Sequence, residues 1–125
     1  MKEIMAIIRM NMVEKTKEAL LKGGNPAITC LKVLGRGRQK VDFSMIEDYI
    51  PNLMDQKMAE ELSEIHRLIS KRLIIILAKD EDVKEIVDEI IEVNRTGNPG
   101  DGKIFVINIA DAMRIRTEET GDMAI

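Results

Sequence analysis

The chain has 125 residues, enough for one domain with a single sizeable core. It is 45% hydrophobic and 33% charged but only 2% aromatic, so Ile, Leu, Val and the nine Met must build that core. A net charge of −3 and the lack of aromatic stacking platforms argue against a general nucleic-acid surface.

The single cysteine, Cys30, excludes a disulfide within the chain and fits a reducing cytoplasm. In the apolar run Ala27–Leu31 it reads as a small packed residue. Met1-Lys2-Glu3 leads straight into a short apolar run, so no signal peptide is expected, and no run is long enough to predict a membrane span.

Residues 3–9 are apolar between Glu3 and Arg9 and predict a buried strand. Asn11 with Glu14 three residues later predicts a capping box. Val13, Thr16, Leu20 and Leu21 follow at helical spacing, and Gly23-Gly24-Asn25-Pro26 stops the helix. Residues 27–34 return to β-type character and run into Gly35-Arg36-Gly37-Arg38-Gln39-Lys40. The stretch 38–70 is long for a connection, which marks it as functional or as carrying structure of its own.

Within that stretch, Asn52 after Pro51 predicts a helix cap, with Met58, Leu62 and Ile65 on one face. Met45, Met54 and Met58 suit either local packing or an adaptable docking surface. His66, the only histidine, lacks a partner for zinc or for a Cys-His pair and reads as a helical surface residue. Lys71–Ala78 is the best central strand. Asp80 opens a second helix with Val83, Ile86, Val87, Ile90, Ile91 and Val93 in period, closed by Gly97. Lys103–Ile109 is a further strand, Met113–Arg116 a short extension, and the polar tail 117–125 is expected to be mobile or partner-dependent.

The order β-α-β, long loop, β-α-β predicts one α+β domain over residues 1–125. Its fold is the ferredoxin-like βαββαβ arrangement: a four-stranded antiparallel sheet with two helices on one face. The other face would expose apolar strands and calls for self-association.

Chemistry concentrates in two glycine loops. The first is Gly35–Lys40; the second is Thr96-Gly97-Asn98-Pro99-Gly100-Asp101-Gly102-Lys103, followed by Arg114-Ile115-Arg116. Glycine lets backbone N–H groups approach an anion, and the bases add charge beside them. Two such loops in an acidic chain suit a polyphosphate. No Walker-type Gly-Lys-Ser/Thr and no paired base and nucleophile accompany them, which points to a sensor rather than an enzyme.

These blocks, together with Ala6-Ile7-Ile8 and the terminal Ala124-Ile125, resemble the PII-like nitrogen-signalling proteins across almost the whole chain. Met10 stands where many members have Pro, and Val41 where most have Gly. The loop is longer than the common version, and Tyr49 lies in no recognisable modification motif. These departures are more like the nitrogenase-associated branch, the larger member of a pair of PII-like proteins that inhibits dinitrogenase.

The resemblance implies a cytoplasmic homotrimer, with ATP or ADP between subunits and Mg²⁺ and 2-oxoglutarate as further effectors. It also implies a target-docking T-loop over about 38–70. It places Thr29, Gly35, Gly37, Arg38, Leu77, Gly100, Asp101, Gly102, Lys103, Arg114 and Arg116 at the nucleotide. Arg38 would lie near the phosphates, with Arg114 and Arg116 reaching in from a neighbouring subunit. Gln39 would ligate Mg²⁺ through its amide oxygen, a neutral hard donor. Gln39, Lys40, Val41 and Lys71 would hold 2-oxoglutarate, although Lys71 taken alone reads as a strand-start lysine facing water. Implied partners are a paralogous PII-like protein and dinitrogenase; the alternative target is an ammonium channel or glutamine synthetase. No nucleic acid and no membrane span are implied.

Overall fold

The computed structural model describes residues 1–37 and 68–125. Gln39, Lys40, Val41, Arg38, Tyr49, His66, the three loop methionines and the expected helix after Asn52 lie outside the described residues.

Strand β1 (Lys2–Arg9) alternates strictly: Ile4, Ala6 and Ile8 are buried, and the residues between them are half-buried. This is the period-2 signature of a strand with one covered face. A 3₁₀ turn (Met10–Met12) leads into helix α1 (Val13–Lys22). That turn displaces the expected capping box. The residue before α1 is Met12, no side chain caps the helix, and Glu14 instead accepts from Lys17 Nζ at 3.0 Å. Leu21 is also displaced from the expected core, being exposed on α1 beside the buried Leu20.

Strand β2 (Thr29–Gly35) begins later than the composition suggests, and β3 (Ile69–Ala78) begins earlier. The reason is their pairing. Leu34 faces Ser70 and Gly35 faces Ile69, so the ladder extends to the root of the loop and takes residues 69 and 70 into β3.

A second 3₁₀ turn (Asp80–Asp82) precedes helix α2 (Val83–Asn94). The helix ends before Gly97: Arg95 is already extended, at φ −71° and ψ 120°, and its N–H closes on Ile91 O at 2.9 Å. Strand β4 (Lys103–Asn108) follows.

The sheet order is β2-β3-β1-β4, with every neighbouring pair antiparallel. This is the ferredoxin-like α+β arrangement expected from the element order. The core lies between one sheet face and the two helices. It joins Ile4, Ala6 and Ile8 to Ile74, Ile76 and Ala78, and to Leu20, Ile86 and Ile90. Fully burying one of the Ile or Leu side chains stabilises the fold by about 1.5–3 kcal/mol. One polar bridge crosses the helix pair: Asn94 Nδ2 donates to Thr16 Oγ1 at 3.0 Å, and Thr16 Oγ1 donates to Met12 O at 2.7 Å.

Register places Leu31, Leu73, Ile7 and Lys103 across the opposite face, with Thr29, Ile75, Met5 and Phe105 in the next row. Leu31, Leu77, Phe105 and Ile107 on that face are each 39–46% exposed. Cys30 is exposed, not packed. It faces Ile74 in the ladder, but β2 is an edge strand while the core is centred on β1 and β3.

The extension expected at Met113–Arg116 is a single bridge, Met113 to Thr120. The tail is held by backbone bonds and ends in a 3₁₀ turn (Gly121–Ala124) rather than remaining a free polar end.

Candidate functional site

Four chain segments meet at one end of the sheet: the end of β1, the end of β2, the start of β3 and the loop before β4. The antiparallel register dictates this, since Arg9 pairs with Lys71 and Lys71 with Val33. The loop Thr96–Gly102 is built around one carboxylate. Asp101 Oδ2 accepts the N–H groups of Thr96 at 2.8 Å and Gly97 at 3.0 Å. Asp101 Oδ1 accepts from the Thr96 hydroxyl and from Arg9 Nη1 at 2.6 Å. Arg9 Nη2 also donates to Pro99 O at 3.2 Å, which ties the loop to β1.

Hydrogen bonds from Thr96, followed by the Arg9 guanidinium, hold the Asp101 carboxyl well below the usual carboxylate range. Asp101 is therefore a brace whose oxygens are already committed within the loop. Arg9 and Thr96 carry this architecture; Thr96 opens the loop read from the sequence, but neither residue was assigned a role at the site. The available signal was a charged residue ending an apolar strand.

Gly102 has a positive φ of 120°, and a Cβ there would sit 2.0 Å from Ile7 O. The loop thus turns onto β4 through a position that β1 itself restricts to glycine. Gly100 also has a positive φ, at 100°.

Gly35 and Gly37 differ. Neither has a positive φ, and a Cβ at either would meet nothing within 4 Å among the described residues. The folding of the described chain gives no reason for glycine at these two positions.

Lys71 does not face water. It is only 8% exposed, and its Nζ donates to Gly100 O at 3.0 Å. Burial and the neighbouring Arg9 push its ammonium pKa down, and Asp101 opposes them. The structure thus brings Lys71 onto the glycine loop although 29 residues separate it from Gly100.

Thr29 and Leu77 lie farther along the sheet. With Glu3, Ala27, Ile28, Ile75, Ala124 and Ile125 they line a cleft of about 460 Å³, so the end of the tail shares this cleft with these two residues. Lys103 and Asp101 border a second cleft, of about 490 Å³, between α2 and β4. Arg114 is pinned within its own segment: Nη1 lies 2.6 Å from Glu119 Oε2. Arg116 is exposed and forms no ion pair with another described residue.

These features define the class as a ferredoxin-like α+β domain with a braced glycine loop and a long excursion between β2 and β3. The profile of the family "Nitrogen regulatory protein P-II" matches residues 1–119. The chain belongs to this family, whose members are regulatory signalling proteins rather than enzymes.

Similar relatives include "Nitrogen fixation nifHD region GlnB-like protein 2" of Methanothermococcus thermolithotrophicus. It is 48% identical, with 100% of this chain and 98% of the relative covered. The protein of the same name from Methanobacterium ivanovii is 46% identical, covering 100% and 99%. "Nitrogen regulatory protein P-II 2" of Methanothermobacter thermautotrophicus is 38% identical, covering 100% and 97%. The nitrogenase-associated branch read from the sequence agrees with the first two names. Among the described residues, no helix is long and apolar enough to cross a membrane.

Proposed function

We propose that the protein senses nitrogen and energy status by binding ATP or ADP together with 2-oxoglutarate. It would then inhibit dinitrogenase through residues 38–70, acting with a paralogous P-II-type partner in the cytoplasm. The observation that carries the sensor reading is the contact of Lys71 with Gly100 O beside the Asp101 brace. A lysine suited to a dicarboxylate and a loop suited to phosphates share one junction, so either ligand perturbs the other's seat.

The donor set fits a nucleotide. Gly35 and Gly37 leave open space at the end of β2, and Gly100–Lys103 offers backbone N–H groups and an ammonium. Thr29 and Leu77 form the more apolar end, suited to a base. Arg38, Arg114 and Arg116 complete the phosphate charges. Gln39 would ligate Mg²⁺, which joins the nucleotide to 2-oxoglutarate, and Lys40 and Val41 would add backbone contacts to that acid. The exposed sheet face supports a homotrimer in which neighbouring subunits complete the site. The names of the nif-region relatives support dinitrogenase as target and a paralogue as partner.

Calorimetry on the purified oligomer tests the sensor. 2-Oxoglutarate should bind with Mg-ATP and not with ADP. Lys71→Ala should abolish that binding while ATP affinity falls less. Equal binding of 2-oxoglutarate without nucleotide refutes the mechanism. Deleting residues 44–66 should end inhibition of purified dinitrogenase while ATP binding persists. Copurification of the full chain with an ammonium channel or glutamine synthetase instead would replace the target.

A further inference from the structure

The segment after β4 closes into a tight loop around Arg114. The Arg114 N–H donates to Glu119 O at 2.9 Å, and the Glu118 N–H donates to Arg114 O at 2.8 Å. Met113 and Thr120 form an antiparallel bridge. The Gly121 N–H is held by Ala112 O and by Asp111 Oδ1, each at 3.0 Å.

Closing the loop puts Glu118 at φ 59°, the one non-glycine residue with positive φ among the described residues. A left-handed glutamate is strained, and such strain persists only where its surroundings over-determine it. Here it turns the chain so that Glu119 returns over Arg114. Glu119 Oε2 accepts from Arg114 Nη1 at 2.6 Å and from Thr117 Oγ1 at 2.8 Å. Arg114 Nη2 donates to Ile125 O at 3.3 Å. The guanidinium is thus gripped by residues of its own segment, yet 36% of the Arg114 side chain stays exposed, and among the described residues not all of its donors are taken, which leaves some for an anion.

We propose that Glu119 is a positioning residue for the nucleotide phosphates, acting through Arg114; this rests on the nucleotide reading above. A free arginine loses rotamer freedom when it binds phosphate, whereas one already held has lost it. Glu119 is itself fixed by Thr117 and by the backbone turn, so the grip exists before any ligand arrives. Arg114 then serves as a preset fork, and Arg116, two residues on and without such a grip among the described residues, as an adaptable charge. A carboxylate that merely competed with phosphate for Arg114 would act in the opposite direction.

ATP titration of the purified oligomer decides between the two, using Glu119→Ala, Glu119→Gln, Arg114→Ala and the Arg114→Ala/Glu119→Ala double variant. Glu119→Ala should weaken ATP about three- to tenfold. Glu119→Gln, whose amide oxygen still accepts from Nη1, should lose less. In the Arg114→Ala background, Glu119→Ala should have no further effect, which a purely structural role would not produce. Unchanged or tighter ATP binding by Glu119→Ala overturns the assignment, as does full additivity in the double variant. If Glu119→Ala does not fold, Glu119→Gln decides by the same comparison. Failure of the wild type to bind ATP overturns the nucleotide reading and this assignment with it; normal wild-type binding with unmoved variants overturns this assignment alone.

Discussion

Replacing Gly102 by alanine should destabilise the fold more than the same substitution at Gly97, earlier in the loop before β4. The added Cβ would lie 2.0 Å from Ile7 O and 3.1 Å from the carbon of the same carbonyl. An ordinary carbon contact is roughly 3.5 Å. The obstruction is backbone, not a side chain that can swing away. Ile7 is paired to Leu73 on one side and to Lys103 on the other, in a strand with a neighbour on each edge. Relief must therefore come from moving the loop or parting the β1–β4 ladder.

Overpacking of this kind costs about 1–3 kcal/mol, and a strained φ adds about 1–3 kcal/mol. Together they remove about 2–6 kcal/mol from a domain whose stability is expected to be about 5–15 kcal/mol. Urea unfolding at fixed protein concentration measures the loss. Gly97→Ala is the matched control, because Gly97 has φ 86° but, among the described residues, nothing within 4 Å of an added Cβ. It should lose only the backbone part, about 1–2 kcal/mol. A Gly102→Ala midpoint equal to that of the wild type, or higher than that of Gly97→Ala, would refute the steric argument.

Glu118→Gly should raise stability by about 0.5–1 kcal/mol, since a left-handed residue costs about 1–2 kcal/mol and glycine returns part of that as chain entropy; a lower thermal midpoint would contradict the strain. Asp101, with its carboxyl held low in the folded state, contributes stability that is present above the ordinary carboxylate pKa and lost as pH falls through its depressed folded value. Asp101→Asn should therefore be less stable than the wild type near neutral pH, with the gap closing in acid; a gap independent of pH across urea midpoints would count against the brace. Gly37→Ala should leave the unfolding midpoint within about 0.5 kcal/mol of the wild type, as no described atom crowds it, yet weaken ATP. Equal ATP affinity would show that the open space beside Gly37 is not used by nucleotide.

Alternation and helical spacing are local properties, so the sequence alone determined the element order, the antiparallel α+β class and the apolar face left without helices. The glycine loops were legible for the same reason: Gly-rich, basic blocks carry their chemistry in neighbouring positions. Boundaries were not. Residues 69 and 70 became strand because β2 pairs with them, and the capping box at Asn11 yielded to a 3₁₀ turn.

Only the tertiary structure decided which side chains share a site. Arg9 meets Asp101 and Lys71 meets Gly100 because antiparallel register brings the end of β1 beside the start of β3, with the β4 loop across them. Glu119 grips Arg114 because a left-handed Glu118 reverses the chain. Lys71 is buried rather than facing water, and Cys30 is exposed rather than packed, because burial depends on what neighbouring elements cover, which a residue's own run of sequence does not contain.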